Sequence, residues 1–491
     1  MKEIIFLFLM YSQISFASFD LNSNIERSYS SIIDLEFDIA KNILEQERRI
    51  NPENGFILLH ENYIDFLTII INEDINYFNS HKNYKSERLA SIVNNNDNLS
   101  PYFLYSKAEI NLQWAFARLK FGQYAKASLE MLSAYRMLEE NKILFPEFNL
   151  NNKGLGLLHT LLGAIPDECS WILNITNLNG DIALGIQELD LVLNDTNLLM
   201  YENEILFIIS FIRMNLDKDK SAYIMYLHMI GDRYKKNILL NFTAARLSYT
   251  LGHNDKCIKI LSDRPSSLSM LNFYYLDYLQ AMAYLYKLDL NSAKKKFRYF
   301  LTNYKGKNYI KSAYHKLALI SFLQNNQEET STNLNNVVAK GTLFIEEDKV
   351  SFKDAQENKL SHPLLIKSRL LYDGGYYYQS LSEIKQFVKL LNLSSSEMQA
   401  EYWYRLARIY SKLSYDQKDI FDSYNMSLEK GVNSKKYYAP MSALQIALIY
   451  EDQNNFSKAR YYFNSCISMS GFDYQRGIHQ KAKAGLNRIS N

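Results

Sequence analysis

AEYWYRLARIYSKLSYDQKDIFDSY, residues 400–424, and SALQIALIYEDQNNFSKARYYFNSC, residues 442–466, are two copies of one pattern. They superpose at an offset of 40 residues, which places Ala407 on Ala447 and Tyr410 on Tyr450. Apolar residues recur every three or four positions in each copy, so each predicts two amphipathic helices joined by a turn. A repeat of this length indicates an array of helix pairs that forms its core by stacking.

Small residues recur along the chain in phase with this pattern. In the second helix of each pair, the position of closest helix contact is predicted at Ala127, Gly185, Ser221, Cys257, Ala293, Thr330, Ser380, Asp419 and Ala459. Twelve residues earlier, the matching position in the first helix is Ala115, Leu173, Ile209, Ala245, Ala281, Ala318, Ser368, Ala407 and Ala447. Asp419 fits its position poorly, but most of the others are small enough for two helices to pack closely.

The pattern resembles the tetratricopeptide repeat (TPR), a helix–turn–helix unit of about 34 residues. The resemblance covers roughly residues 102–469 and is closest to exported bacterial TPR proteins. It implies an all-α fold: a right-handed α-solenoid of TPR-like helix pairs, with irregular N-terminal helices and a C-terminal capping helix. It also implies a concave groove, lined by the first helices, in which a protein or peptide partner binds.

Superfamily geometry implies which side chains face that groove. They lie three and seven residues before the small position of each first helix, and one, four and five residues after it. In this chain the groove residues are Phe242, Arg246, Tyr249, Tyr274, Tyr278, Met282, Tyr286, His315, Phe322, Leu365, Arg369, Tyr372, Tyr404 and Arg408. Tyr and Arg are common at binding hot spots. The alternative is that these aromatic side chains pack against the neighbouring repeat.

Length and composition agree with a helical array. A chain of 491 residues is too long for one compact core, so either several domains or a stacked array is expected. Only 7 Pro and 17 Gly are present, which favours long helices over turn-rich β structure. The formal net charge of +2 gives no field for attracting nucleic acid, so no nucleic-acid partner is expected.

The first 17 residues are typical of an export signal. Lys2 supplies a positive charge, residues 4–10 are an unbroken apolar run, and Ser15 and Ala17 are small residues where a signal peptidase cleaves. The alternative is an N-terminal helix that docks on the array. No later run is long and apolar enough to predict a transmembrane span. We therefore expect an exported protein, periplasmic or associated with the envelope.

Two irregular segments divide the rest of the chain. We expect an N-terminal helical region at 18–100, a TPR-like array at 101–340 with a Gly-rich insertion near 145–171, a polar linker or short helix at 341–363, and C-terminal repeats with the capping helix at 364–491. The insertion contains NNKGLGLLHTLLGAIPDECSW, residues 151–171. Around residues 154–185 the glycine pattern is similar to the eukaryotic inclusion-body-clearance family of TPR proteins, and the similarity carries no residue roles.

No group of residues matches a known catalytic, nucleotide-binding or metal-binding motif. The sequence therefore predicts a non-enzymatic scaffold without a cofactor, which binds a protein or peptide in its groove. The alternative is a protein that binds a lipid or another small hydrophobic ligand, using the Gly-rich segment 154–166 to line a pocket.

Overall fold

The computed structural model of the chain describes residues 19–94, 99–164, 180–216, 221–357 and 360–489. These residues form α-helices and two short 3-10 helices, and within these ranges there is no β-strand. None of the described helices is long and apolar enough to cross a membrane. The expected export signal and Leu173 lie outside the described residues.

The chain divides into two compact units. Unit 1 comprises Met1–Leu247, Lys259–Leu276 and Asn303–Lys307, and unit 2 comprises Ser248–Ile258, Asp277–Thr302 and Asn308–Asn491. The helices wholly within unit 1 are α1 (Ser23–Ile33), α2 (Phe37–Ile50), α3 (Phe56–Asn72), α4 (Ile75–His81), α5 (Tyr84–Asn94), α6 (Pro101–Lys120), α7 (Tyr124–Leu144), α8 (Asn151–Gly163), α9 (Ile182–Asn194), α10 (Glu202–Leu216) and α11 (Ser221–Ile230).

The next four helices contribute residues to both units: α12 (Ile238–Thr250), α13 (Asn254–Ser262), α14 (Tyr275–Tyr286) and α15 (Leu290–Asn303). The helices wholly within unit 2 are α16 (Ile310–Leu323), α17 (Gln327–Ala339), α18 (Glu346–Glu357), α19 (Pro363–Asp373), α20 (Tyr377–Gln386), α21 (Val388–Leu391), α22 (Ser396–Lys412), α23 (Gln417–Gly431), α24 (Tyr438–Asp452), α25 (Phe456–Ser468) and α26 (Gln475–Arg488).

Consecutive helices pack in pairs, among them α6 with α7, α16 with α17, α22 with α23 and α24 with α25. The small residues lie where these helices meet: Ala115 and Ala127 in one pair, and Ala447 and Ala459 in another, are fully buried. For the described residues, the prediction of an all-α fold of consecutive helix pairs is confirmed. Helix α26 covers the last pair with Ile478 and Ala482, as expected of a capping helix.

Two of the small-residue positions differ from the prediction. Ser221 and Asp419 are exposed instead of buried between helices. Both lie in the first turn of their helices, α11 and α23. An acidic side chain is favourable there because the first turn carries partial positive charge. Asp419 therefore reflects the helix terminus and not the repeat contact.

The Gly-rich helix α8 packs directly on α9. A Cβ atom on Gly156 would lie 2.6 Å from the carbonyl oxygen of Gly185, and one on Gly185 would lie 2.5 Å from the carbonyl oxygen of Gly156. The two glycines therefore allow the helix backbones to touch. This contact is helix packing, and in the described part of segment 154–166 nothing supports a pocket for a lipid. Residues 165–179 lie outside the description.

Segment 341–363 contains helix α18, which packs on α16. Asp348 is fully buried in this contact and accepts hydrogen bonds from the backbone N–H groups of Tyr309, at 2.7 Å, and Ser312, at 2.9 Å. The segment lies inside unit 2. The domain limits expected from the sequence stay a prediction.

Unit 1 contains a buried ion cluster. The Lys153 ammonium, on α8, lies 3.0 Å from a Glu109 carboxylate oxygen and 2.9 Å from one of Glu204. The Tyr63 hydroxyl donates to Glu109 at 2.8 Å, and the Tyr29 hydroxyl donates to Glu204. These bonds offset the cost of burying the charges and tie α1, α3, α6, α8 and α10 together.

Candidate functional site

Seven of the predicted groove residues lie on α16, α19 and α22, the first helices of successive pairs in unit 2, and five of them have polar side chains. His315 is on α16, Arg369 and Tyr372 are on α19, and Tyr404 and Arg408 are on α22. Residues three or four positions apart share one face of a helix. The structure brings all five of these side chains into two neighbouring features: a cationic–aromatic surface and a polar cavity.

Arg408 forms the centre of the first feature. Its guanidinium lies 4.0 Å from the ring centroid of Tyr372 and 5.6 Å from that of Tyr404, and 3.7 Å from the Asp373 carboxylate. Tyr372 also contacts Tyr377, at 5.3 Å between ring centroids. We call these five residues the Arg408 surface. Arg408 and Tyr372 are half-buried, so they keep exposed area with hydrogen-bonding tips.

The second feature is a cavity of about 150 Å³, which we call the polar cavity. Helices α16, α18, α19 and α22 and the starts of α24 and α26 surround it. Its lining comprises His315, Leu319, Asp354, Leu360, Ser361, Ile366, Arg369, Glu397, Met398, Glu401, Lys436, Tyr437, Tyr438, Asp473 and Tyr474. Tyr437 and Tyr474 directly precede α24 and α26. Their rings contact edge to face, with centroids 5.5 Å apart.

His315 is buried in the wall of the polar cavity, with 6% of its surface exposed. Neither ring nitrogen has a hydrogen-bond partner among the described residues. The nearest carboxylate oxygen belongs to Asp354, 4.0 Å from Nε2. Burial, with the positive charges of Lys316 and Arg369, holds the pKa of His315 well below its usual value. The imidazole is therefore neutral at pH 7 and offers one N–H donor and one nitrogen acceptor.

Most of the charged groups around the polar cavity are already paired. Glu401 accepts from Ser361 at 2.7 Å and from Arg405 Nε at 2.8 Å. Burial works against its charge, but Arg405 and Ser361 hold the pKa of Glu401 below its usual value. Lys436 donates to Glu357 at 2.7 Å and lies 3.2 Å from Asp473.

Arg369 and Asp354 have fewer close polar contacts than the other charged residues of the lining. For Arg369 the described residues provide no hydrogen bond or ion pair, and the contact of Asp354 with His315 is long, at 4.0 Å. Burial raises the pKa of Asp354, and the nearby cations oppose that shift. Burial and the charge of Arg369 lower the pKa of Lys316, beside His315, to about 8. A cation and a carboxylate thus face the cavity with capacity to bind further groups.

The other predicted groove residues are distributed differently. Phe242, Tyr278, Met282 and Leu365 are buried, like Tyr404, whereas Arg246, Tyr249, Tyr274, Tyr286 and Phe322 are half-buried. Their contacts are internal: the Phe242 ring lies 5.4 Å from Phe273, and Tyr249 stacks on Tyr286 at 5.3 Å. Packing accounts for the buried members. As partner-binding residues, all fourteen stay a prediction.

Several cavity residues were missed by the sequence reasoning, among them Asp354, Glu401, Lys436 and Asp473. Asp354 lies in segment 341–363, for which the sequence predicts a polar linker or short helix. The sequence spacing could have indicated four other cavity residues. Ser361, Met398, Tyr437 and Tyr474 lie at the starts of first helices or of the capping helix, close to one repeat length apart. A groove rule restricted to helix interiors overlooks these N-terminal positions.

No protein-family model matches the chain, and no curated protein sequence matches it. The solved structures that align with this chain include the following two. The APC/C hetero-tetramer Cut9–Hcn1 aligns over 94% of this chain and 95% of its own, at 11% identity and a TM-score of 0.27. Yeast Tom70 aligns over 95% of this chain and 88% of its own, at 12% identity and a TM-score of 0.23. Likenesses at these scores carry no argument about function.

The described residues contain no group of three or more His, Cys, Asp or Glu side chains placed to hold a metal ion. Cys257 and Cys466 are buried thiols in the cores of their helix pairs, and burial raises the pKa of Cys466 to about 12.

Proposed function

We propose that this protein is a non-enzymatic scaffold of the bacterial cell envelope that binds a protein or peptide through the first-helix face of unit 2. The observation that carries the proposal is the Arg408 surface. An arginine held between two tyrosine rings is a preorganised contact, because its side chain loses little further freedom when a partner binds.

The composition of this surface also supports the proposal. Arg and Tyr are the residue types that dominate binding energy at protein interfaces. Their flat faces accept apolar groups, while the guanidinium and the hydroxyls remain able to bond to backbone carbonyls of a partner. Asp373, 3.7 Å from Arg408, adds an acceptor at the edge of the surface.

The test is affinity capture from envelope extracts of the native host with the full-length protein. Arg408→Glu and Tyr372→Ala should each reduce recovery of the specific partner about tenfold or more, the effect of removing a hot-spot contact. Partner proteins are identified by mass spectrometry and their recovery is measured against wild type.

Lys385→Glu is the matched control. Lys385 is exposed on α20, the second helix of its pair, and its reversal makes the same change in net charge. We expect the control to capture the partner as wild type does. Unchanged recovery with both Arg408→Glu and Tyr372→Ala would contradict the proposed binding surface.

Export is the second part of the proposal. It rests on the sequence of residues 1–17, with its lysine, apolar run and small residues at the cleavage position. Removal of this segment would deliver a mature chain starting at Ser18 to the periplasm.

A further inference from the structure

We propose that the polar cavity binds a small free amino acid, with the ligand's carboxylate on Arg369, its ammonium group on Asp354 and a hydrogen bond to His315. This inference goes beyond the scaffold function and uses none of the residues of the Arg408 surface. It assigns a zwitterionic ligand to the polar cavity, which the proposed binding of a protein or peptide does not use.

The charges of the lining select the ligand. The lining contains four carboxylates, those of Asp354, Glu397, Glu401 and Asp473, and two cations, Arg369 and Lys436. A simple anion such as phosphate would meet this excess of carboxylates. A simple cation would meet the guanidinium of Arg369. A ligand that carries both charges avoids both repulsions.

The existing ion pairs and hydrogen bonds of the lining indicate where the ligand's carboxylate and ammonium groups would bind. Glu401 is bonded to Ser361 and Arg405, and Asp473 is bonded to Lys353 and Lys436. Within the described residues this leaves Arg369 without an ion pair, and it leaves Asp354 with no ion pair closer than the 4.0 Å contact to His315, although Lys316, Lys436 and Arg369 act on its charge from a greater distance. Arg369 offers a planar fork of donors that matches a carboxylate, and Asp354 offers acceptors for an ammonium group.

His315 is the observation that points to a ligand rather than to an ordinary surface cluster. It is 94% buried, and both of its ring nitrogens lack partners in the described structure. A buried polar group costs free energy unless it is hydrogen-bonded. Because the ring is neutral, it can donate to the ligand carboxylate or accept from its ammonium group without adding charge to the site.

The size of the cavity limits the ligand. A cavity of about 150 Å³ holds a molecule the size of benzene, which is also the size of alanine. The Tyr437 and Tyr474 rings form an aromatic part of the wall, against which a short side chain would pack. The fit is therefore to glycine, alanine or serine, and not to the larger amino acids.

The test is a titration of the full-length protein with L-alanine, observed by ligand-detected NMR and by calorimetry. L-alanine should bind saturably below about 10 mM, and propionate and ethylamine, each carrying one of its two charges, should bind about tenfold more weakly or worse. If propionate binds as tightly as L-alanine, the site takes a carboxylate alone and the inference is wrong. Absence of L-alanine binding also overturns it.

Variants assign the contacts. Arg369→Gln and Asp354→Asn should each weaken L-alanine binding about tenfold. Asp354 has a 39% exposed side chain, so Asp354→Asn keeps the test valid even if Arg369→Gln fails to fold. Lys349→Gln, an exposed change on the same helix as Asp354, should bind as wild type. Wild-type affinity in Asp354→Asn would contradict the proposed ammonium contact.

The outcomes separate the two proposals. Loss of partner capture in Arg408→Glu with intact L-alanine binding supports both. L-alanine binding without any effect of Arg408 on partner capture refutes the scaffold surface alone. Partner capture that depends on Arg408, with no L-alanine binding, refutes the amino-acid site alone.

Discussion

His60 is a buried side chain that should make the stability of this fold depend on pH. It lies in α3, with 2% of its surface exposed, and its Nδ1 atom is 2.7 Å from the Ser28 hydroxyl oxygen. The rings of Tyr29, Phe56 and Tyr63 surround it. Burial lowers the pKa of His60 from 6.5 to about 3. Folding therefore keeps this imidazole neutral in mildly acidic solution.

Lowering the pH should destabilise unit 1 through His60. Below pH 6.5 the unfolded chain binds a proton at this residue, whereas the folded chain does not until about pH 3. The free energy of unfolding should therefore fall by about 2 kcal/mol between pH 7 and pH 5 from this group alone. Urea unfolding of wild type and of His60→Leu at both pH values measures the difference. An equal pH dependence in the two proteins would show that His60 does not contribute.

The glycine contact between α8 and α9 carries a prediction at the level of helix packing. Gly156→Ala places a methyl group 2.6 Å from a backbone oxygen, so the helices must separate. We expect a loss of about 1–3 kcal/mol in the free energy of unfolding, as for other overpacked contacts. Thermal and urea unfolding of the variant provide the measurement.

Gly477→Ala is the control for this substitution. Gly477 is also helical, in α26, and apart from the backbone of its own helix no heavy atom lies within 4 Å of its added Cβ. Because alanine has the higher helix propensity, this variant should be as stable as wild type or slightly more stable. Equal effects of the two substitutions would mean that the α8–α9 contact does not depend on glycine.

Individual elements also show what the sequence could and could not predict. The alanine and serine positions predicted the helix pairs because close packing tolerates only small side chains, as at Ala115 and Ala127. The polar cavity could not be predicted from the sequence in this way. Asp354 lies in a segment predicted to be a polar linker or short helix, with no predicted role in a site. The residues that begin α24 and α26 become neighbours only through tertiary packing. Spacing along one helix carries no information about such contacts.

For the molecule as a whole, export is the prediction that can be tested first. The full gene expressed in a bacterial host should yield a periplasmic protein whose N-terminal residue is Ser18, because the small residues Ser15 and Ala17 direct cleavage after Ala17. Cell fractionation and intact-mass measurement provide the readout, and Ala17→Asp should block processing. A cytoplasmic protein that retains Met1 would contradict the export signal.

The two compact units are interleaved along the chain. The units exchange residues between 248 and 308, and the sequence did not predict this interleaving. Composition could not indicate this, because the helices of that region have the same pattern as the rest of the array. Residues of Lys259–Leu276 return to unit 1: the Leu271 backbone N–H donates to the Leu35 carbonyl oxygen at 2.9 Å.

This interleaving constrains the order of events during biosynthesis. A nascent polypeptide leaves the ribosome N-terminus first, and the domain that starts at Met1 lacks its last segment, Asn303–Lys307, until more than half of the message has been translated. By then two stretches of the other domain have already emerged. The native assembly of the first domain therefore requires the chain through residue 307, whereas the 308–491 portion of the second follows without further interruption.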